Sequence, residues 1–292
     1  HVVTRRQRQM CIRDSTWDVS ASFSLLRSEV ISIADGIDQI YVGGYVGRGN
    51  IAIPGLPYGI LEGEVIRRDY GSLDGTDHTQ VHWDDRTNYT PIVNANGGYQ
   101  FLGYGVIGNP QPDFVYGVTN TLSYKWATLR VQFDSQVGGD VFSTTNSTLL
   151  GRGILQETDF DRFVPVVTNG LSADGTPNTT QTTANAHYWP NTGVFYDENS
   201  IYDASVMRLR EVSLSFVAPK SFLNGTPFGN ASLTLSAQNI WHYAWNTPSG
   251  TNFDPEVISY GAGSNARGFD EMTGPTAKKY GCLLYTSDAA DE

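Results

Sequence analysis

Cysteine is almost missing from this chain: only Cys11 and Cys282 occur, one near each end of 292 residues. Two thiols so placed give no disulfide framework. Long apolar runs are missing too; none approaches the ~18 residues of a membrane-spanning helix. Cations are scarce, 19 Lys and Arg against 30 Asp and Glu, for a net charge of −11. A nucleic-acid partner needs a basic face, so that class is excluded. No Gly-x-Ser-x-Gly, Walker or dinucleotide pattern stands on a strand–turn–helix, so neither an enzyme nor a cofactor is expected. What the chain does have is 31 Gly, 16 Tyr and 13 Phe with only 39% hydrophobic residues. That is the composition of a Gly- and aromatic-rich β protein. A mean hydropathy of −0.30 still suits a barrel, whose strands turn only every second residue to lipid.

The two ends differ from the rest. Arg5-Arg-Gln-Arg-Gln-Met-Cys-Ile-Arg-Asp-Ser15 resembles a translated sequencing adapter, and Cys282-Leu-Leu-Tyr-Thr-Ser-Asp-Ala-Ala-Asp-Glu292 resembles its opposite strand. With suitable codons the two are reverse complements. The alternative is a basic arm and an acidic tail. Residues 1–15 and 282–292 are therefore expected to be adapter-derived, and 16–281 to be the native part. Both cysteines then lie outside the native part. The ends hold four Arg and four acids, so 15 cations against 26 acids remain and the net charge stays −11.

Five stretches alternate with period two, the mark of a sheet with unlike faces. From Thr16 to about Ile31, Trp17, Val19, Ala21, Phe23 and Leu25 oppose Asp18, Ser20, Ser22 and Ser24. Next, Phe114, Tyr116, Val118, Leu122 and Tyr124 oppose Gly117, Thr119, Thr121 and Ser123. In the third, Leu129, Val131 and Phe133 oppose Thr128, Arg130, Gln132 and Asp134. From Val206 to Val217, Val212, Leu214 and Phe216 oppose Glu211, Ser213 and Ser215. From Ala231 to Tyr243, Leu233, Leu235 and Ala237 oppose Thr234, Ser236 and Gln238. Gly274 to Gly281 begins a sixth. Short polar groups on one face suit a wet lumen. Tyr124, Trp126, Trp241, Tyr243 and Trp245 at strand ends suit membrane-interface girdles.

The connections are unequal. Tight turns are expected at 125–127 and 219–228, and long Gly-, Asn- and Asp-rich connections at 32–113, 135–205 and 244–275. Short turns at one end and long loops at the other is how transmembrane β-barrels are built. The first long connection has a β-like stretch from Tyr58 to Arg67, expected to form a small hairpin. The second has a helix expected near Thr145 to Leu155. Loops of this length usually have a function.

Candidate chemistry is thin. His78 and His82 have metal-ligand spacing, but in a Gly- and Asp-rich loop they share no helix face and read as loop residues. Asp84-Asp85 and Glu157, Asp159 and Asp161 read as solvated loop charge, because glycosidase acids face each other across a cleft. Asn146, Asn178 and Asn230 head Asn-x-Ser/Thr triplets, as chance allows in so Asn- and Thr-rich a chain. The loop aromatics Trp83, Trp189 and Trp245 offer flat faces for a ligand or partner, or else rigidify their loops.

Six segments in order resemble the late barrel of SusC-like (RagA-like) TonB-dependent transporters. They are Pro57-Tyr58-Gly59, Ile107-Gly-Asn-Pro-Gln-Pro-Asp-Phe114, Gly138-Gly-Asp-Val-Phe-Ser143, Tyr202-Asp-Ala-Ser-Val-Met-Arg-Leu-Arg-Glu-Val-Ser-Leu-Ser-Phe216, Gln238-Asn239 and Phe253-Asp-Pro-Glu-Val257. One departure stands out: many family members carry an Asp-rich run before Ile-Gly-Asn-Pro, and here Val93-Asn-Ala-Asn-Gly-Gly-Tyr99 is too poor in carboxylates for a calcium loop. No metal is expected.

The resemblance implies an all-β fold, a partial transmembrane antiparallel barrel of about the last six strands of a 22-stranded barrel, its final strand truncated. It implies the outer membrane of a Gram-negative bacterium and import of oligosaccharides or peptides. Its implied partners are a SusD-like surface lipoprotein and TonB, the latter acting through regions not in this chain. Two rivals are a TonB-dependent receptor for a chelated metal or vitamin and a secreted sugar-binding β-sandwich. The first should lack the Arg208-Leu-Arg-Glu and Phe253-Asp-Pro-Glu run, and the second should cover both strand faces with protein or water.

Overall fold

The computed structural model describes residues 2–12, 14–70, 81–189, 193–247, 254–256 and 266–288, with 2–12 and 288 described by backbone alone. In chain order the strands are β1 (Val2–Ile12), β2 (Ser15–Ser24), β3 (Ile40–Tyr45), β4 (Arg48–Ala52), β5 (Ile60–Ile66), β6 (Phe101–Gly108) and β7 (Phe114–Tyr124). There follow β8 (Ala127–Val137), β9 (Asp140–Ser143), β10 (Ile201–Asp203), β11 (Val206–Val217), β12 (Phe228–Tyr243), β13 (Phe269–Asp270) and β14 (Lys279–Asp288). Short two-residue pairings join Arg68–Asp69 to Thr90–Pro91 and Val166–Val167 to Gln181–Thr182.

One open antiparallel sheet runs β1-β2-β7-β8-β11-β12-β14. Its register lines up side chains of one kind across neighbouring strands. Trp17, Leu122, Leu129, Leu214 and Leu235 face one another in a single row. Two residues along each strand, Val19, Asn120, Val131, Val212 and Ala237 form the next row of that face. Asn120 is its polar exception, and its side-chain oxygen accepts the Trp17 indole N–H at 3.3 Å. Between these rows lies Asp18, Thr121, Arg130, Ser213 and Ser236 on the other face. A further polar row is tied laterally by Ser123 to Thr128 at 3.1 Å and Ser215 to Thr234 at 2.9 Å.

Among the described residues no second layer covers the apolar rows. Trp17, Leu122, Leu129, Phe133 and Leu235 keep 37–49% of their accessible surface. Such a surface is costly in water and at home in hydrocarbon. A sandwich would have buried these side chains, so that alternative fails. The molecule is an open piece of an antiparallel β-barrel. No helix among the described residues is long and apolar enough to cross a membrane, which says nothing of strands.

Two bulges keep the faces pure. In β11 the apolar residues are even-numbered from Val212 to Phe216 but odd at Leu209. One extra residue, Arg210, lies between the Gln132–Glu211 and Phe133–Leu209 pairs and resets the phase. Opposite it, β12 carries Asn239 and Ile240 between Gln238 and Trp241. Asn239 adopts φ 52°, the left-handed region that Asn tolerates better than most residues.

At one end of the sheet, β7 and β8 are joined by Lys125-Trp126 alone, and β11 and β12 by a loop containing one helical turn, α3 below, at Lys220–Leu223. At the other end all three long connections fold together. β3-β4-β5-β6 form an antiparallel meander, and β10-β9-β13 a small three-stranded sheet. Leu61, Val65 and Ile107 from the first connection pack with Phe142 from the second and Phe269 from the third. Phe142 and Phe269 are fully buried and meet edge to face at 5.8 Å. Burying each such ring stabilises by ~1.5–3 kcal/mol, so these loops form one structured layer. Helix α1 (Thr144–Arg152) starts where Ser143 Oγ accepts the Asn146 N–H and stops at left-handed Gly153. Two shorter helical turns are α2 (Ala184–Tyr188) and α3 (Lys220–Leu223).

The expected hairpin at Tyr58–Arg67 appears as β5 within a larger meander, and the expected helix as α1. Strand ends shift by up to three residues, as where β8 runs on to Val137 and β12 begins at Phe228, and two boundaries differ by more. β2 ends at Ser24 rather than Ile31, because from Leu25 onward the chain leaves β7 and its Val30 N–H donates to Leu56 O at 2.9 Å. The sixth native strand begins at Lys279 and runs on through residues read as adapter, pairing Leu284 with Leu233. β1 pairs with β2 in the same way. An open edge presents unpaired N–H and C=O groups to any extended chain beside it, so both pairings follow from the open edges.

Candidate functional site

The segments that carry the family resemblance meet where the long connections leave the sheet. Asn109 donates its N–H to Asp140 Oδ2 at 2.6 Å, and Asp140 returns its N–H to Asn109 O at 2.8 Å. Burial pushes the Asp140 carboxyl up to about 6 despite the Asn109 hydrogen bond. Gln111 reaches from the same turn to the hairpin: its Nε2 donates to Tyr58 O at 2.6 Å and Ser28 Oγ at 2.7 Å. Gly138 (φ 72°) and Gly139 (φ 85°) follow β8. A Cβ at Gly138 would stand 2.5 Å from Asp113 Oδ2, so a side chain there would collide as well as strain the backbone. The Gly138 N–H donates to Ser205 Oγ at 2.8 Å, which ties the start of β11 to the end of β8.

A second cluster ties the last long connection to the polar face of the sheet. Arg208 is buried and grips both oxygens of buried Asp254, with Nη1 to Oδ2 at 3.2 Å. Asp254 also accepts the N–H groups of Thr276 and Glu256, each at 3.1 Å. Burial alone would raise the Asp254 carboxyl, but Arg208 and Thr276 outweigh it and hold the group well below the usual carboxylate range. Arg210 forks onto Asp134 at 2.7 and 2.6 Å and onto Glu256 at 3.0 and 2.7 Å. The bulge at Arg210 is what aims both guanidinium groups at the same loop.

The third cluster lies within the folded layer. Asp197 accepts from Arg48 Nε at 3.1 Å and from the Glu64 N–H at 3.1 Å. Arg48 also stands 5.1 Å over the Phe142 ring. Glu198 pairs with Arg68 and lies 3.8 Å from Arg86. Burial, aided by nearby Asp197, pushes Glu64 up to about 7. Buried Asn50 bridges connections one and three, donating to Gly59 O and accepting the Arg267 N–H at 2.7 Å.

The aromatic candidates occupy separate places. Trp83 opens a 3-10 turn with its ring 3.7 Å from that of His82. Trp189 ends α2 and is exposed; Trp245 lies two residues beyond β12, whose Trp241 and Tyr243 stack at 6.4 Å. Other residues among those described line cavities. One is an apolar groove of about 230 Å³ beside the tight turns, lined by Trp126, Phe216, Phe222 and Leu233 among others. Another is a polar cleft of about 440 Å³ at the foot of the first long connection, lined in part by Arg27, Glu29 and Asp113. His78 lies outside the described residues. Among the described residues no group of three or more His, Cys, Asp or Glu could hold a metal ion. Glu157, Asp159 and Asp161 are not drawn into the three clusters above. Sequence reasoning missed the partners Arg48, Arg68, Arg86, Asp197 and Glu198. A signal was present for the second cluster only, where two basic residues in one motif stand against two acidic residues in another.

A sheet with one bare apolar face, one polar face and a folded layer at its long-loop end defines a membrane β-barrel fragment. Within that class the chain is similar in sequence to two TonB-dependent receptors of Formosa agariphila. One, called P3, is 25% identical over 256 residues, covering 80% of this chain and 23% of the relative. The other, P26, is 27% identical over 182 residues, covering 59% and 17%. In fold it matches the RagAB peptide transporter at a TM-score of 0.54 with 18% identity, over 97% of this chain and 28% of that one. The RagAB peptide importer in its closed-closed state gives 0.56 at 18% identity. No family model matches. The chain thus spans between 17% and 28% of the length of these relatives, and the likeness read from its motifs, to TonB-dependent receptors with a RagA-type barrel, holds. The relatives are receptors and transporters rather than enzymes.

Proposed function

We propose that residues 16–281 are the C-terminal part of the barrel of a SusC-like outer-membrane importer, and that residues 1–15 and 282–292 are adapter-derived. The complete barrel has about 22 strands. It carries oligosaccharides or peptides across the outer membrane of a Gram-negative bacterium, a SusD-like lipoprotein closes its mouth, and TonB supplies the energy through regions outside this chain. No bond is made or broken; the work is binding and gated passage. The observation that carries this reading is the register of the large sheet. It sets Trp17, Leu122, Leu129, Leu214 and Leu235 in one uncovered row and backs them with polar side chains. The folded long-loop layer, which joins all three connections through Phe142 and Phe269, fits a rigid mouth on which a lid docks. Trp83, Trp189 and Trp245 belong to that side, and we assign at least one of them to contact with substrate or lid.

The test is expression of the complete gene in a host with and without functional TonB. Outer-membrane fractionation and uptake of labelled oligosaccharide or peptide are then measured. Membrane-inserted protein with TonB-dependent uptake supports the reading. Recovery of the folded protein from the soluble fraction refutes it.

A further inference from the structure

The polar cleft at the foot of the first long connection lies between the segment after β2 and the turn before β7. Its volume, about 440 Å³, is that of a small-ligand site. One wall is held rigid: the Gln111 side-chain amide is committed to Tyr58 O and Ser28 Oγ, and the Tyr58 N–H returns to Ser28 Oγ at 3.2 Å. Asp113 is fixed by its N–H on Val137 O at 2.9 Å, with the bare Cα of Gly138 leaving room for its carboxylate.

Three formal charges line this space: Arg27, Glu29 and Asp113. None of them takes part in the ion pairs or side-chain hydrogen bonds found among the described residues. Among the described residues no aromatic side chain lines the cleft. A neutral sugar is held by flat aromatic faces and neutral hydrogen-bonding groups, whereas this cleft offers one cation and two anions. An ionic ligand with a carboxylate for Arg27 and ammonium groups for Glu29 and Asp113 matches it in sign and number.

We infer that this cleft is a subsite for the charged end of a short peptide bearing both a free carboxylate and ammonium groups. This deepens the importer reading and rests on it, since it selects peptide over oligosaccharide as the substrate class. The carboxylate lies against the Arg27 guanidinium, and the ammonium groups lie between Glu29 and Asp113. Arg27, Glu29 and Asp113 are exposed, so each contact is worth what a solvent-exposed ion pair is worth and weakens with salt.

The experiment uses the complete protein in detergent and isothermal titration with three probes. These are the tripeptide Ala-Ala-Lys with free ends, the same peptide with an amidated C-terminus, and maltotriose. Arg27→Gln should weaken the free-acid peptide about fivefold and leave the amide unchanged. Arg27→Lys should restore most of the loss, which shows that charge rather than folding is being read. Glu29→Gln should weaken both peptides. The inference is overturned if Arg27→Gln affects acid and amide equally, if neither peptide responds to it, or if maltotriose binds as tightly as the peptides and competes with them. Intact TonB-dependent uptake alongside any of those results removes the cleft assignment and leaves the importer reading standing. Failure of the complete protein to enter the membrane removes both.

Discussion

Replacing Arg208 by Ala tests whether the last long connection is held to the sheet by a buried charge pair. Arg208 and Asp254 are both buried, and Arg208 supplies two of the four hydrogen bonds on the Asp254 carboxylate. Removing one member of a buried pair leaves the other uncompensated, a loss of about 3–5 kcal/mol. That loss is local, because the strands on either side of Arg208 keep their ladder pairing. The expected result is a connection between Tyr243 and Lys279 that a protease cuts readily in the membrane-embedded complete protein, while the barrel keeps its heat-resistant migration on gels. Asp254→Ala should behave alike, and the double variant should lose much less than the two losses added together. The pair should also outlast mild acid. The carboxyl is held below its unfolded value, so the stability it contributes is present above that unfolded value and goes only as pH falls through the lowered one. Additive effects of the two substitutions, or an uncut connection in both single variants, would refute this role for the pair.

Three further outcomes are expected. Leu129→Arg on the bare face should cost about 2–4 kcal/mol of barrel stability in urea titrations, whereas Thr128→Arg on the polar face should cost little; equal effects would deny the two-faced sheet. Gln111→Ala removes the side-chain bonds to Tyr58 and Ser28 and should cost about 1–3 kcal/mol locally, read as faster amide exchange in β4 and β5 with the barrel unchanged. The folded layer should lose stability as pH rises from about 4 to about 7, the window between ordinary carboxylates and Asp140 at about 6 and Glu64 at about 7. Both folded groups bind protons more tightly than their unfolded forms, so deprotonation favours unfolding. Amide exchange at pH 5 and pH 8 should show this, and the double variant Glu64→Gln, Asp140→Asn should flatten it.

The long strands were legible because their signal is local. Alternation from Phe114 to Tyr124 and from Val206 to Val217 predicted β7 and β11 to the residue, and α1 followed from its own short stretch. The phase slip at Arg210 was not legible, since a single extra residue in β11 has meaning only against β8 and β12. The ion pairs of the folded layer were hidden for the same reason. Arg48 and Asp197, or Arg68 and Glu198, lie in different connections, and only the folded chain brings them together. Resemblance did better than periodicity here. Of the motif residues, Asn109 joins the first long connection to the second, Gln111 joins it to the segment after β2, and Arg208 and Asp254 join the third to β11, while Gly138 closes the second connection on itself at Ser205. A loop position, the property that singles out Trp83, Trp189 and Trp245, says nothing of convergence, and the three stand on separate elements.

The most direct measurement is a cysteine scan along β8 in the complete protein in native outer membranes. Single cysteines at Thr128, Arg130 and Gln132 should react quickly with a water-soluble, membrane-impermeant maleimide. Single cysteines at Leu129, Val131 and Phe133 should react slowly with it, and probes attached there should be quenched by spin-labelled lipid. Equal labelling of the two sets, or quenching of the first set rather than the second, would contradict a sheet that stands between hydrocarbon and a watery lumen.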